Sequence, residues 1–302
     1  MKLITYRHAG RIRTGVVVPS GVLDCTERIA MLPPDPGNID LDPDEMAPGG
    51  MLRLLQSGSA GMESLRAFVR KTAASSFVWQ LNEVELMAPV PRPGKIISVG
   101  RNYKGHPLET SLTASQTPRL SGVFPSSVSA HGCVVRRPPS VKKLDLEAEL
   151  AVVIGRHAHE VSEDAAYSYV AGYTIVNDLC ARELQFDTWP PLATFAKSMN
   201  GFFPMGPWMV TADEVRNPQD LTISSWVNGQ LMQRGSTADM LFSIKELISY
   251  ISQTVSLEPG DIIATGTPAG SGVFREVPQF LQPGDHVKLE ISGIGTLEHG
   301  IG

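Results

Sequence analysis

Between Leu144 and Ile154 the sequence places carboxylates at alternate positions, Asp145, Glu147 and Glu149. It then runs uncharged through Leu150-Ala151-Val152-Val153-Ile154. Strand side chains alternate between faces. Leu144, Leu146, Ala148 and Leu150 therefore share one face, and the three carboxylates share the other. The unbroken apolar run that follows marks a central strand covered on both sides. Carboxylates on such a strand repel one another and resist desolvation, so they need protons, basic partners or a cation. Hard oxygen ligands suit Mg2+, Mn2+ or Ca2+ better than zinc. Taken alone, the segment also fits a solvated strand face.

A second apolar run, 170–176, stops at Asn177-Asp178 and is followed by Leu-Cys-Ala-Arg-Glu-Leu-Gln. Asp178 at a strand's carboxyl end is a candidate third ligand. In helical spacing Asp178, Arg182 and Gln185 share one face. They would combine a metal ligand, a cation for a substrate carboxylate and a hydrogen-bonding amide. The plain alternative is Asn177 or Asp178 as a helix N-cap. Lys197 stands in a stretch poor in charge, either as a snorkelling side chain or as the partner of an oxyanion.

The rest of the chain narrows the class. Its 302 residues carry a formal charge of −5 and no long basic run, which argues against a nucleic-acid or anionic-membrane partner. No run approaches the ~18 apolar residues of a membrane span, and the start, Met-Lys-Leu-Ile-Thr-Tyr-Arg-His, has no apolar leader. Cys25, Cys133 and Cys180 are too far apart for a metal knuckle or a disulfide framework, so a reducing, cytoplasmic setting is expected. The proline run Pro89-Val90-Pro91-Arg92-Pro93-Gly94 excludes a helix or central strand and is taken as a boundary between residues 1–90 and 91–302.

Short strands are expected at 3–6, 15–18 and 21–24, and a helix around Met62, Leu65, Phe68 and Val69. Beyond residue 94, strands are expected at 95–100, 146–154 and 170–176. A hairpin turns at Asn228-Gly229. Ser243-Ile244-Lys245-Glu246 is a capping box opening a helix. Thr211-Ala212-Asp213-Glu214 is a candidate for another. Pro-Gly-Asp turns at 259–261 and 283–285 launch further strands. Many strands and few helices give an α+β, mainly β class with a closed or strongly curled sheet.

These segments together resemble the fumarylacetoacetate hydrolase family. The resemblance lies in Ser98-Val99-Gly100-Arg101-Asn102-Tyr103 with His106 and Glu109, in residues 145–155, and in Asn177-Asp178 through Gln185. It continues through Lys197-Ser198, Gly206-Pro207-Trp208, residues 257–268 and Ile294-Gly295-Thr296-Leu297. It implies a mixed β-roll catalytic domain behind a smaller N-terminal α/β domain, and a homodimer. It implies Mg2+ or Mn2+, with Ca2+ a further candidate, on Glu147, Glu149 and Asp178. His106 and Glu109 would be a water-activating pair on a mobile lid. Lys197 would serve catalysis, and Arg182, Gln185 and Thr267 would hold a small oxo acid.

The expected activity is hydrolysis of a C–C bond in a β-diketo or acylpyruvate-type 2-oxo acid, through an enolate stabilised by the cation and Lys197. The alternatives are an oxaloacetate-type decarboxylase or keto–enol isomerase on the same site, and a silent member that binds a small acid. Where many members carry a lysine before the Pro-Ser-Ser stretch, the nearest residue here is Val123. That predicts a neutral or apolar far end of the substrate, unless Lys104 or Arg119 supplies a charge.

Overall fold

The structure, a computed structural model, describes residues 1–38, 50–72, 79–105 and 115–302. Its centre is a mixed sheet. Along the main path the strands run in the order Gly21–Asp24, Arg11–Val18, Lys2–His8, Phe203–Thr211, Val170–Asn177, Ala148–Ile154, Ile262–Ala264, Ile96–Gly100 and Arg119–Val123. Most pairs are antiparallel, and Ile96–Gly100 runs parallel to Ile262–Ala264. The path ends at two different strands rather than closing on itself, so the sheet is no barrel. A second sheet is ordered Gln230–Ser236, Thr222–Val227, His286–Ile291, Gly295–Ile301 and Val134–Val135.

Ala148–Ile154 is the spine, with every residue buried. Its two faces enter two different cores. Leu144, Leu146, Ala148, Leu150, Val152 and Ile154 join the core shared with the second sheet and the Ile244–Ser252 helix. Ala151 and Val153 join the core covered by the N-terminal helices Thr26–Ala30, Met51–Gln56 and Gly58–Thr72. The period-two reading of the sequence is thus preserved, although the strand is interrupted at Leu146-Glu147 between Leu144–Asp145 and Ala148–Ile154.

Several local expectations hold. Asn228 and Gly229 take φ of 51° and 80°, the left-handed turn that joins the hairpin strands. Ser243 and Glu246 close a reciprocal capping box on the Ile244–Ser252 helix. The Thr211 segment does not form a capped α-helix. It makes one 3-10 turn, Ala212–Glu214, and the Thr211 hydroxyl instead accepts from the N-terminal amine. The N-terminal strands extend the same sheet as the rest, with Lys2 opposite Val210 and Leu3 opposite Met209. The Thr5 hydroxyl donates to the Pro89 carbonyl within the proline run.

Candidate metal centre

Four neighbouring strands bring their ends to one edge of the sheet. Asn177 pairs with Ala148, Ala264 with Ala151, and Ala264 with Ser98. Asp178, Glu147 with Glu149, Gly266 with Thr267, and Ser98 therefore meet at a single place. The ligand oxygens of Glu147, Glu149 and Asp178 all lie within 4.8 Å of one another, and all three residues are buried. The backbone holds this geometry, since Asp178 N donates to Glu147 O at 3.0 Å.

Each carboxylate is oriented by a specific donor. Arg182 Nη2 donates to Glu147 Oε1 at 2.8 Å, and Lys197 Nζ donates to Glu147 Oε2 at 2.5 Å. Lys197 Nζ also donates to Asp178 Oδ2 at 2.7 Å, where the Ser98 hydroxyl donates as well. Glu149 Oε2 accepts from Gly266 N at 2.8 Å. Gly266 has φ +98°, and a Cβ there would lie 2.8 Å from Asn102 Cβ, so only glycine lets this amide approach.

The electrostatics leave an imbalance. Among the described residues, Arg182 pairs with Asp145 and Glu147, and Lys197 with Glu147 and Asp178, while Glu149 has no ion pair with either. Burial first, then the Asp178 and Glu147 charges, push the Glu149 carboxyl well above the usual carboxylate range. Burial also raises Asp178, partly offset by Lys197. Burial works to lower Lys197, but Asp178 and Glu147 outweigh it and raise the ammonium above its ordinary value. Asp178 Oδ1 is buried and has no hydrogen-bond partner among the described residues. A buried acceptor with no partner among the described residues, inside a cluster of three carboxylates, is what a divalent cation would satisfy, and the all-oxygen donor set fits Mg2+ or Mn2+.

Asp145 is not part of that set. Its carboxylate accepts from Arg182 Nε at 2.9 Å and from the amides of Leu146, Gly272 and Val273, so it anchors the arginine. The Arg182 guanidinium also donates to Gln185 Oε1 at 2.7 Å and lies over the Phe186 and Phe274 rings. The Thr267 hydroxyl donates to Ala148 O and accepts from Gln233 Nε2. A cavity of about 250 Å3 opens beside these groups and is lined by Glu147, Glu149, Arg182, Gln185, Lys197 and Thr267 among others. All six are residues that the sequence patterns and the family resemblance single out.

Three expectations require correction or limits. Asp178, Arg182 and Gln185 do not share a helix face. The helix is Arg182–Phe186, and Asp178 precedes the Cys180–Ala181 strand, so tertiary folding rather than helical spacing brings the aspartate in. Val123 is buried and does not line the cavity, whereas Arg101 and Arg119 do, beside apolar Leu120, Phe186 and Phe274. The cavity lining therefore includes two arginines besides Arg182. His106 and Glu109 lie outside the described residues.

Sequence reasoning missed the supports behind the ligands. Asn177 Oδ1 accepts from Glu147 N at 2.9 Å, and its amide nitrogen lies 2.9 Å from His299 Nε2. The amide can only donate there, so His299 Nε2 accepts and the ring is neutral. Burial pushes the His299 ring down to about 4. An unfolded histidine takes up its proton near pH 6.5, so acid favours the unfolded chain. This contribution to stability is intact above pH 6.5, is lost as pH falls toward 4, and amounts to at most about 3 kcal/mol. Urea unfolding at several pH values should give a shallower acid slope for His299→Gln than for the wild type. Equal slopes would refute the assignment.

The fumarylacetoacetate (FAA) hydrolase C-terminal family matches residues 95–301. Oxaloacetate tautomerase YisK of Bacillus subtilis (strain 168) is 40% identical over 267 residues, covering 85% of this chain and 88% of that protein. The fumarylacetoacetate hydrolase EaFAH of Exiguobacterium antarcticum superposes with a TM-score of 0.77 at 31% identity, covering 100% of this chain and 99% of its own. Maleylpyruvate hydrolase from Sphingobium sp. SYK-6, solved with manganese(II) and pyruvate, gives 0.78 at 28% identity, covering 100% and 98%. The chain belongs to the fumarylacetoacetate hydrolase family.

Proposed function

We propose that this protein is a divalent-metal-dependent keto–enol tautomerase of short 2-oxo acids of the oxaloacetate class. The observation that carries the reading is the buried Glu147–Glu149–Asp178 triad, with ligand atoms within 4.8 Å of one another and the Asp178 Oδ1 atom without a hydrogen-bond partner among the described residues. A bound Mg2+ or Mn2+ would act as a Lewis acid toward the oxygens of a 2-oxo acid and make its C3 hydrogen more acidic.

The chain's own residues supply the remainder. The N–H groups of Arg182 beyond those held by Asp145, Glu147 and Gln185, and the Gln185 amide, offer donors to the substrate carboxylate within the cavity, which Thr267 also lines. Lys197, the last residue of the Ala193–Lys197 helix, keeps Glu147 and Asp178 in place and adds positive charge where the C2 oxygen gains electrons. In the reaction the C3–H bond breaks, its electron pair becomes the C2–C3 double bond, and the C2 oxygen gains a proton. The proton at C3 is assigned to His106, supported by Glu109, on the sequence resemblance alone.

The tautomerase relative favours this reading over C–C hydrolysis, which the sequence analysis placed first. Hydrolysis is the second reading, supported by the likeness to maleylpyruvate hydrolase. Purified protein with Mg2+ or Mn2+ is expected to speed keto–enol equilibration of oxaloacetate, followed by the ultraviolet enol band, without releasing CO2. Chelator should abolish the effect. Two smaller acids formed from an acylpyruvate would favour hydrolysis. If no oxo acid reacts faster than without protein, both readings fail. His106→Ala is expected to lower turnover by ~10²–10⁴-fold while leaving cation affinity nearly unchanged. A parallel loss of affinity would make His106 a ligand or structural residue.

A further inference from the structure

The geometry points to Arg101 and Arg119 as the recognition site for a second substrate carboxylate, making the preferred ligand a 2-oxo dicarboxylate. This rests on the reading above that a 2-oxo acid occupies the cavity.

Arg119 begins the Arg119–Val123 strand and lies opposite Gly100, the last residue of Ile96–Gly100. Arg101 follows directly and turns with φ +59°, a left-handed conformation that is costly for a side chain this large. The two arginines belong to adjacent strand ends and line the same cavity as Glu147, Glu149 and Lys197. The same strand is tied to the cluster at Ser98, whose hydroxyl donates to Asp178 at 2.5 Å. From Ser98 to Arg101 the chain spans at most ~10 Å. A long arginine side chain can cover that distance toward a ligand held beside the triad.

Neither guanidinium has an ion-pair partner among the described residues. Arg182, in contrast, is already paired with Asp145 and Glu147 and donates to Gln185. Burial, and then the Arg119 charge, hold Arg101 below its ordinary value. Two like charges facing one cavity repel each other and favour an anion between them. A carboxylate suits two planar guanidiniums because each can offer a pair of parallel N–H donors. A methyl group at the same place would leave both cations without a partner.

Oxaloacetate and 2-oxobutanoate differ only in carboxylate against methyl at the far end. Exchange of the C3 hydrogens in deuterated water, followed by proton NMR, compares their kcat/KM on one scale. The wild type is expected to prefer oxaloacetate by tenfold or more. Arg101→Gln and Arg119→Gln should each lower that preference severalfold and the double variant by tenfold or more, a change that the greater intrinsic acidity of the oxaloacetate C3 hydrogens cannot produce, since it is the same in every variant. Arg101→Lys, which keeps the charge, should retain part of the preference and serves if the glutamine variants fail to fold. A preference unchanged in the double variant overturns the proposal.

Calorimetric binding of the two acids to the Mn2+-loaded protein separates the two claims. If neither acid exchanges, but oxaloacetate binds tenfold tighter and the double variant loses that margin, the tautomerase reading fails and the recognition site stands. If both exchange rapidly with equal kcat/KM and equal affinity, the reading stands and the recognition site fails.

Discussion

Glu149→Gln is expected to weaken divalent-cation binding by at least ~10–100-fold, because even the outer partners of metal ligands carry that much. The substitution keeps the side chain's length and leaves an oxygen that can still accept from Gly266 N, so the backbone contact survives. It removes one of the negative charges that face the cation site. Turnover at limiting Mg2+ or Mn2+ should fall by the same factor. The metal-free variant should be at least as stable as the metal-free wild type, because one buried repulsion is gone. Calorimetric titration with Mn2+ and thermal unfolding with and without chelator test both halves. Unchanged Mn2+ affinity would show that Glu149 is not a ligand.

Lys197→Met should act in the opposite direction on stability. The ammonium bridges Glu147 Oε2 and Asp178 Oδ2, and it is almost wholly buried. A methionine of similar length fills the space and leaves both carboxylates without their cation. Removing one partner from a buried pair costs about 3–5 kcal/mol, which for a chain of this size is roughly 6–20 °C in unfolding midpoint. Added Mn2+ or Mg2+ should restore more of the midpoint in the variant than it adds to the wild type, since the cation then offsets a larger charge excess. Activity should stay low even at saturating cation, because the positive charge beside the C2 oxygen is missing. A midpoint within a degree or two of the wild type would mean that water, rather than the lysine, already screens these carboxylates.

The two variants separate effects that otherwise look alike. Both lower activity, yet one relieves the charge crowding and the other increases it. The sign of the stability change in chelator, compared with the sign in Mn2+, therefore reports on the triad independently of turnover.

Period and turn chemistry made much of this legible in the sequence. The alternation from Leu144 to Ile154 gave a strand with carboxylates on one side, and the structure keeps that division through the break at Leu146-Glu147. The capping box at Ser243 and the turn at Asn228-Gly229 are local events, decided by residues at most three apart. Order along the chain also placed Asp178, Arg182, Gln185, Lys197 and Thr267 in the site through the resemblance. The open ends of the sheet were not legible, because strand content and turn signals say nothing about whether the first and last strands pair.

The sequence by itself determined the carboxylate-bearing central strand, the candidate ligands and the family. Only the tertiary structure decided how the charges are met. Asp145 looked equivalent to Glu147 and Glu149 by spacing, but the amides of Gly272 and Val273 and the Arg182 guanidinium claim it. Ser98 reaches Asp178 across 80 positions, and Asn177 reaches His299 across 122. Val123, nearest in sequence to a familiar lysine position, is buried, while Arg101 and Arg119 face the cavity. Such contacts depend on which strands pair and in what register. That register is fixed by burying both faces of Ala148–Ile154 at once, a global condition that no local spacing records.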